Sequence, residues 1–263
     1  MIALIGIDVD GTLVGSSGEV PDVIWQLAVE ARKAGIHLAL CSGRPAFGVA
    51  AEYARRLDDD GWHIFQNGAS VVNLATHQSR STPLPEGSVR GLISHARETG
   101  RVLELYGDDD YAVESESAWA KEHAELLGLT FKSRPYETLS PPWVRAQWLL
   151  TPEDARRVVA PDGLEMAEST SPLMPEVRFV GLTRRGVSKG AAMTEIAAAY
   201  RVDMRDVMYV GDSGNDLSAL RVVGHPIAMG NADPQVIAAA ERTVGHVNDA
   251  GLAEAFRIAI SSR

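Results

Sequence analysis

The sequence predicts an α/β protein with a doubly wound, parallel-sheet (Rossmann-like) core and an inserted α+β domain. Two observations lead to this fold class. At both ends of the chain, short apolar runs that stop at turn residues alternate with helical segments, which is the pattern of parallel strands joined by right-handed crossovers. Between these ends the order of the elements changes and proline-rich joints appear, which indicates a separate folding unit.

The N-terminal part of the core begins with strands that are apolar and rich in β-branched residues. Three buried strands are predicted, at residues 2–9, 36–41 and 62–65. A helix is predicted over residues 22–34, because apolar residues recur there at helical spacing, Pro21 precedes it and Gly35 follows it. The segment 42–45 ends the second strand and is expected to start another helix.

The C-terminal part of the chain repeats this alternation. Its predicted elements are helices at 188–200, 217–222 and 252–260, and strands at 207–210 and 226–229. Because both ends of the chain follow one pattern, we expect residues 1–82 and 183–263 to form a single core domain.

The inserted domain is expected at residues 83–182. Its predicted elements are helices at 88–98, at 117–127 and from Pro152, and strands at 102–106, 111–113, 146–150, 165–169 and 177–182. Proline-rich joints are found at 83–85, 141–142 and 172–175. A segment of about a hundred residues is large enough to fold as a domain of its own.

The composition excludes several classes of function. The 263 residues carry a formal net charge of -10 and no block of Lys or Arg, which argues against nucleic acid as a partner. Cys41 is the only cysteine, so an internal disulfide and a thiolate zinc cluster are excluded. We find no signal peptide and no apolar run of roughly 18–20 residues, and we expect a soluble, cytoplasmic monomer or small homo-oligomer without membrane contact.

The first motif places Asp8 and Asp10 one residue apart where the first strand ends, followed by Gly11 and Thr12. Side chains of a strand repeat their direction every second residue, so both carboxylates can point into one site. A carboxylate can attack phosphorus and form an aspartyl phosphate, while its neighbour protonates the leaving oxygen and later activates water. Gly11 permits a sharp turn, and Thr12 can add a donor. The alternative is an ordinary Asp-Gly turn with two solvated acids.

The second and third motifs each have one candidate phosphate-binding side chain. Ser42, in the run Leu40-Cys41-Ser42-Gly43-Arg44, is predicted at a helix start, where unpaired N–H groups bind anions. Lys189 is predicted at the start of the helix at 188–200, where its charge opposes the helix dipole and a bound phosphate would explain its presence. The alternatives are a simple helix-capping serine and a solvated surface lysine.

The fourth motif, Gly211-Asp212-Ser213-Gly214-Asn215-Asp216, follows the predicted strand at 207–210. Two acids and an amide at a glycine-rich strand end suit a hard cation that prefers oxygen ligands. We expect Mg²⁺ to join oxygens of Asp8 and Asp212 to a phosphoryl group. The alternative is a loop rich in residues that tolerate turns.

Taken in this order and spacing, the motifs resemble those of the haloacid dehalogenase-like hydrolase superfamily. The resemblance is to the Cof-type phosphatase branch (type IIB), which has a large α/β cap after the third core strand. It spans nearly the whole chain. The matching segments are residues 8–12, 42–44, 189 and 211–216, and the run Gln66-Asn67-Gly68-Ala69, which is typical of this branch.

This resemblance implies a Mg²⁺-dependent phosphohydrolase that cleaves a small-molecule phosphate monoester, such as a sugar phosphate, through an aspartyl phosphate. Asp8 would be the nucleophile and Asp10 the general acid and base. The metal would bind the Asp8 carboxylate, the Asp10 backbone carbonyl and Asp212. The implied phosphate-binding residues are Thr12, Ser42, Gly43, Lys189 and Asn215, with Asn67 and Asp216 in supporting positions.

The resemblance also implies that residues 83–182 act as a lid that excludes solvent and selects the substrate, with hinges near 82–83 and 182–183. Cap residues considered for substrate choice are Glu104, Tyr106, Trp119, Trp143 and Trp148, although such aromatic residues are most often core. Sugar phosphates, nucleotide-like cofactors and pyridoxal phosphate all fit as substrates. The open alternatives are a sugar phosphomutase, a dedicated sugar-phosphate phosphatase, and a non-enzymatic phosphoacceptor or binding protein.

Overall fold

The structure is a computed structural model that describes residues 1–171 and 173–263. The described chain divides into two compact units. Unit 1 contains residues 1–44, 50–80 and 188–263, and unit 2 contains residues 45–49 and 81–187. The proline joint expected at 172–175 includes Pro172, which lies outside the described residues.

The secondary structure alternates strands and helices along most of the chain. The strands are β1 (Leu4–Asp8), β2 (His37–Cys41), β3 (Trp62–Phe65), β4 (Ser70–Asn73), β5 (Gln78–Ser79), β6 (Val102–Tyr106), β7 (Tyr111–Val113), β8 (Arg145–Leu150), β9 (Leu164–Ser171), β10 (Met174–Arg184), β11 (Val207–Gly211), β12 (His225–Ala228) and β13 (Arg242–Thr243). The α-helices are α1 (Asp22–Lys33), α2 (Val49–Asp58), α3 (Glu86–Thr99), α4 (Ala118–Leu126), α5 (Pro152–Ala155), α6 (Lys189–Tyr200), α7 (Leu217–Leu220), α8 (Pro234–Ala239) and α9 (Leu252–Ser261).

Unit 1 is built on an eight-stranded sheet in the order β13-β12-β11-β1-β2-β3-β4-β5. The strands from β13 to β3 in this order are parallel to one another. β4 is antiparallel to β3, and β5 is antiparallel to β4. β1 lies at the centre, where Leu4 pairs with Val207 on one side and with His37 on the other. The predicted doubly wound, parallel-sheet core is therefore confirmed.

The central strands of unit 1 are buried on both faces, which explains why they are apolar throughout. One group of helices pairs α1 with α9, and another pairs α6 with α7 and α7 with α8. Because the strands from β13 to β3 are parallel, their carboxyl ends lie at the same edge of the sheet, and the loops that follow β1, β2 and β11 come together there.

An antiparallel hairpin, β4–β5, extends the sheet at one edge and was not predicted from the sequence. Its strands are short, and both residues of β5 are exposed, so the period-2 pattern that marks a half-buried strand is missing. Asn73 closes the turn, because its Oδ1 accepts hydrogen bonds from the backbone N–H (2.9 Å) and the hydroxyl (2.9 Å) of Thr76.

Unit 2 contains a five-stranded sheet in the order β7-β6-β8-β10-β9, with antiparallel pairing throughout. Alternate residues of β6 enter two different apolar clusters: Leu103 and Leu105 pack with α3, while Val102 and Tyr106 pack on the other face. The aromatic residues considered for substrate choice contribute to these clusters, since Trp148 is buried in the first and Trp119 packs against the second. Trp143 packs against the first cluster.

Two local predictions are corrected by the structure, and one helix was not predicted. The helix after the second strand begins at Val49, so the segment 42–45 forms an irregular loop instead of a helix start. β10 continues to Arg184, two residues beyond the strand end predicted at residue 182. Helix α8 was not predicted, although Asp233 followed by Pro234 is a typical helix-start signal. The domain boundaries at 82/83 and 182/183 stay predictions.

In the part of the chain that the structure describes, no helix has both the length and the apolar character needed to cross a membrane.

Candidate active site

The site lies in unit 1, at the carboxyl ends of the central strands. Asp8 is the last residue of β1 and is only 5% exposed. It pairs in register with Cys41 of β2, which directly precedes Ser42, and the neighbouring strand β11 leads directly into Asp212. Parallel pairing therefore delivers three of the predicted motifs to one position.

Lys189 connects two of the acids. It is the first residue of α6, and its Nζ donates to Asp8 Oδ1 (2.6 Å) and to Asp216 Oδ1 (2.7 Å). The side chain is fully buried, so the alternative of a solvated surface lysine is wrong. Burial alone would lower the pKa of Lys189, but the carboxylates of Asp216 and Asp8 outweigh it and raise this pKa. Lys189 is therefore a buried ammonium.

Asp216 holds the loop after β11 in place. Its Oδ1 accepts from Lys189 and from the hydroxyl of Tyr209 (2.6 Å), and its Oδ2 accepts from the backbone N–H of Asp212 (3.0 Å) and of Ser213 (3.1 Å). Four donors occupy this buried carboxylate, so Asp216 is suited to positioning its neighbours and not to ligating a metal.

The three acids of the cluster, Asp8, Asp212 and Asp216, carry more negative charge than the single ammonium of Lys189 can neutralise. Burial, and then the charge of Asp216, raises the pKa of Asp8 well above its usual value. The same two causes raise the pKa of Asp212 to about 6. Two carboxylates whose ionised forms are disfavoured in this way would be stabilised by an additional cation.

The residues present fit a divalent metal. Carboxylate oxygens of Asp8, Asp212 and Asp216 lie within 4.8 Å of one another, and oxygen ligands with excess negative charge are what a hard cation prefers. Because Asp216 is occupied by its donors, Asp8 and Asp212 are the available ligands of this cluster. Gly11 makes room for the arrangement: it has a φ of +89°, and a Cβ there would lie 2.2 Å from Asp212 Oδ2.

Thr12 and Asp10 complete the first motif. The Thr12 hydroxyl donates to Asp212 Oδ1 over 3.3 Å, which joins the first and fourth motifs. The Asp10 side chain is 61% exposed and is held by Arg44, whose Nη2 donates to Oδ1 (2.6 Å) and whose Nε donates to Oδ2 (3.1 Å). A carboxylate that is both oriented and exposed can exchange protons with a substrate or with water.

The predicted phosphate-binding loops approach one another. Ser42 is buried and its Oγ accepts from the backbone N–H of Arg44 (3.0 Å). Asn215 Nδ2 donates to Asn67 Oδ1 (3.0 Å), and that oxygen lies 3.2 Å from the position a Cβ would take at Gly43. The loops that carry the second, fourth and branch-specific motifs therefore form one neighbourhood.

Sequence reasoning named most of these residues but missed two. Arg44 belongs to the second motif, where the sequence alone indicates no role for it, and it pairs with Asp10 only because the two loops meet in the fold. Tyr209 lies in an apolar strand, where a tyrosine gives no signal of a polar role. The prediction that Ser42 lies at a helix N-terminus is wrong, because the loop continues to Val49, where α2 begins.

The chain is similar to one known protein family over most of its length. Residues 5–143 and 171–256 match the haloacid dehalogenase-like hydrolase family, and this match includes most of the chain. The chain belongs to this family, and the resemblance to its Cof-type branch is confirmed. It is accordingly an enzyme of the phosphatase class.

Curated relatives and solved structures agree with this assignment. Pyridoxal phosphate phosphatase YbhA of Escherichia coli is 29% identical over 265 residues, which cover 92% of this chain and 93% of that protein. The 5-amino-6-(5-phospho-D-ribitylamino)uracil phosphatase YwtE of Bacillus subtilis is 26% identical over 256 residues, 87% of each chain. A haloacid dehalogenase-like hydrolase from Bacteroides thetaiotaomicron shares the fold, with a TM-score of 0.85 at 23% identity over 98% of this chain and 99% of that one.

Proposed function

We propose that this protein is a Mg²⁺-dependent phosphohydrolase that cleaves the phosphate monoester of a small molecule, such as a sugar phosphate, through a phosphoryl group carried by Asp8. The observation that carries the proposal is the position of Lys189, whose Nζ donates to Asp8 (2.6 Å) and to Asp216 (2.7 Å) in a buried cluster. An ammonium fixed beside Asp8 can neutralise the charge of a phosphoryl group during its transfer.

In the first step, an oxygen of Asp8 forms a bond to phosphorus while the ester P–O bond breaks. Asp10 gives a proton to the leaving oxygen, so the product departs as a neutral alcohol. The bidentate contact with Arg44 fixes the direction of this otherwise exposed carboxylate, and one of its two bonds has to open when Asp10 carries the proton.

In the second step, Asp10 takes a proton from water as the water oxygen bonds to phosphorus. The bond between Asp8 and phosphorus breaks, which releases inorganic phosphate and restores the Asp8 carboxylate. Each proton and each carboxylate returns to its starting state, so the cycle is balanced.

The proposed metal site consists of the carboxylates of Asp8 and Asp212 and the backbone carbonyl of Asp10. When bound, Mg²⁺ supplies positive charge that offsets the buried carboxylates and stabilises the negative phosphoryl oxygens. The proposed phosphate-binding residues are Thr12, Ser42, Gly43, Lys189 and Asn215, supported by Asn67 and Asp216. The contact between Asn215 and Asn67 supports this grouping.

The substrate proposal rests on the class of the relatives. Two of them are named for small organic phosphates, pyridoxal phosphate and 5-amino-6-(5-phospho-D-ribitylamino)uracil. We propose that residues 83–182 serve as the lid that selects among such compounds. The proposed substrate class is tested by measuring the release of inorganic phosphate from these two compounds and from a panel of sugar phosphates. A phosphomutase would keep its phosphoryl group from water and release little phosphate.

The nucleophile is tested with Asp8→Asn, which keeps the side-chain shape and removes the attacking oxygen. We expect turnover of p-nitrophenyl phosphate to fall by at least about 1,000-fold while circular dichroism stays unchanged. Asp203→Asn is the matched control, because Asp203 caps an exposed turn of the same unit and asparagine caps equally well. EDTA should stop the wild-type reaction and Mg²⁺ should restore it. Retained turnover in Asp8→Asn, or indifference to EDTA, contradicts the corresponding assignment.

A further inference from the structure

Tyr209 is a fully buried tyrosine beneath the site. It is the third residue of β11, three positions before Asp212, and its exposed fraction is 0%. Its hydroxyl donates to Asp216 Oδ1 over 2.6 Å. The four sequence motifs do not include it, and the proposed mechanism gives it no role.

The chain makes room for this ring with Gly6. Gly6 lies opposite Tyr209 in the pairing of β1 and β11. A Cβ at Gly6 would lie 2.7 Å from Tyr209 Cδ2 and 2.8 Å from Met193 Sδ. The backbone of Gly6 is that of an ordinary strand residue, and a glycine inside a strand costs stability. The space taken by the ring therefore explains the glycine.

The hydroxyl of Tyr209 donates a hydrogen bond to the same carboxylate oxygen that accepts from Lys189. Asp216 Oδ1 accepts from both groups, at 2.6 Å from Tyr209 and 2.7 Å from Lys189. The second carboxylate oxygen, Oδ2, is bound by the backbone of the loop that carries Asp212. Tyr209 thus fixes the rotation of a carboxylate that in turn positions Lys189 against Asp8.

The hydroxyl of a buried tyrosine usually has a hydrogen-bond partner, and the simplest interpretation of Tyr209 is a core residue of this kind. Two facts indicate that Tyr209 also has a role in the site. The partner is an anion whose other contacts are all site groups, and hydrogen bonds to a charged group are the stronger ones. Burial, together with the charge of Asp216, also raises the pKa of Tyr209 well above its usual value, so the phenol remains a donor.

We propose that Tyr209 is a positioning residue for phosphoryl transfer: its hydroxyl orients Asp216, which holds Lys189 beside Asp8. This inference rests on the proposed function, because positioning is meaningful only for an Asp8-dependent reaction. Gly6 is required for this arrangement, since a Cβ at that position would displace the ring of Tyr209.

The test uses Tyr209→Phe, which keeps the ring and removes the hydroxyl. We expect kcat for p-nitrophenyl phosphate to fall about tenfold with KM changed less than about twofold, because the hydroxyl orients the transferring groups more than it binds substrate. Tyr200→Phe is the control: its hydroxyl accepts from the backbone N–H of Trp62 (2.9 Å), so its loss should lower Tm and leave kcat unchanged. If Tyr209→Phe lowers only Tm, the residue is structural and the proposal is overturned.

A double-mutant cycle with Asp216→Asn shows whether the hydroxyl acts through Asp216. Removing the hydroxyl should cost about tenfold in the wild-type background and less than about twofold in the Asp216→Asn background. Equal losses in both backgrounds would overturn the proposed route. Gly6→Ala is the second variant, which displaces the ring without removing the hydroxyl, and it should also lower kcat. Unchanged kcat in Gly6→Ala would likewise contradict the proposal.

Failure of the inference and failure of the proposed function give different results. Wild-type turnover that is lost in Asp8→Asn and retained in Tyr209→Phe overturns only the role of Tyr209. Absence of Asp8-dependent turnover in the wild-type protein refutes the proposed function, and the positioning role with it.

Discussion

Both units bury carboxylates, but they balance the charge differently. In unit 1, three carboxylates surround the single ammonium of Lys189, and burial next to Asp216 raises the pKa of Asp8 and of Asp212. In unit 2, Glu104 is the buried carboxylate of a network built from hydrogen-bond donors. The cluster in unit 1 contains three carboxylates and therefore an excess of negative charge. The network in unit 2 contains one carboxylate, which accepts a hydrogen bond from each of three side chains.

The network in unit 2 shows what a structural carboxylate looks like. Glu104 accepts from the hydroxyl of Tyr106 (2.6 Å), from His123 Nδ1 (2.9 Å) and from Gln147 Nε2 (3.2 Å). Satisfied hydrogen-bond networks of this kind order a core, whereas a cluster in which one buried carboxylate disfavours the ionisation of the next is typical of a functional site. The contrast teaches that the crowding of carboxylates, and not the burial of one acid, separates the site from the core.

Among the variants that compare the buried acids of the two units, the largest effect is expected from Asp216→Asn. The amide can accept from the two backbone N–H groups, but its NH₂ group then faces the ammonium of Lys189. Turnover should fall about 100-fold, because the groups that stabilise the transferred charge lose their orientation. The free energy of unfolding should fall by about 3 kcal/mol or more. Kinetics with p-nitrophenyl phosphate and urea unfolding measure both, and wild-type turnover would mean that Asp216 does not position Lys189.

A second prediction concerns His63, a buried titratable group of unit 1 outside the cluster. His63 Nδ1 accepts from the backbone N–H of Leu40 (3.1 Å), and Nε2 lies 2.8 Å from the carbonyl of Asp58. Burial lowers the pKa of His63 from 6.5 to about 4. The unfolded chain therefore binds a proton before the folded chain does, and stability is lost as the pH falls from about 6.5 to about 4, by at most about 3 kcal/mol.

The acid sensitivity is measured by urea unfolding at several pH values in His63→Asn and in the wild-type protein. His63→Asn should lose less stability than the wild-type protein between pH 6.5 and pH 4. His77→Asn is the matched control, because His77 is exposed and asparagine tolerates its positive φ of 56°. Parallel pH curves for the wild-type protein and His63→Asn would assign the acid sensitivity to other groups, such as the acids of the site.

The smallest effect is expected from Glu104→Gln, the counterpart of Asp216→Asn in unit 2. One donor of the network loses its acceptor, so the free energy of unfolding should fall by about 1–2 kcal/mol. Turnover per folded molecule should stay within about twofold of the wild-type value. Glu165→Gln on β9 is the control, because Glu165 is exposed. A fall in turnover without a loss of stability would place Glu104 in substrate recognition instead.

Much of the fold was predictable because it is written in local patterns. The strands of the core are short apolar runs that stop at Gly, Asp or Ser, and helix α1 has Pro21 before it and Gly35 after it. Helix α8 was missed although Asp233 and Pro234 mark its start, whereas the missed hairpin β4–β5 is an element that such patterns do not mark. The hairpin β4–β5 owes its pairing to the edge of a sheet that already exists, and its exposed residues have no periodicity.

The site was predictable to the same degree and for the same reason. The motif residues stand at strand ends, and parallel topology brings strand ends together. The contacts that give those residues their chemistry were not predictable. Arg44 pairs with Asp10 only because two loops meet, and Ser42 turned out to lie in an irregular loop because α2 starts seven residues later, at Val49.

The sequence by itself determined which chemical groups stand at the ends of the central strands, because turn residues and apolar runs act locally. Tertiary structure alone decided their state. Lys189 meets Asp8 across 181 positions of the chain, and Tyr209 reaches Asp216 in the space left by Gly6. Ionisation and orientation depend on burial and on neighbours that sheet register selects, and these distant contacts form only when the whole core has assembled.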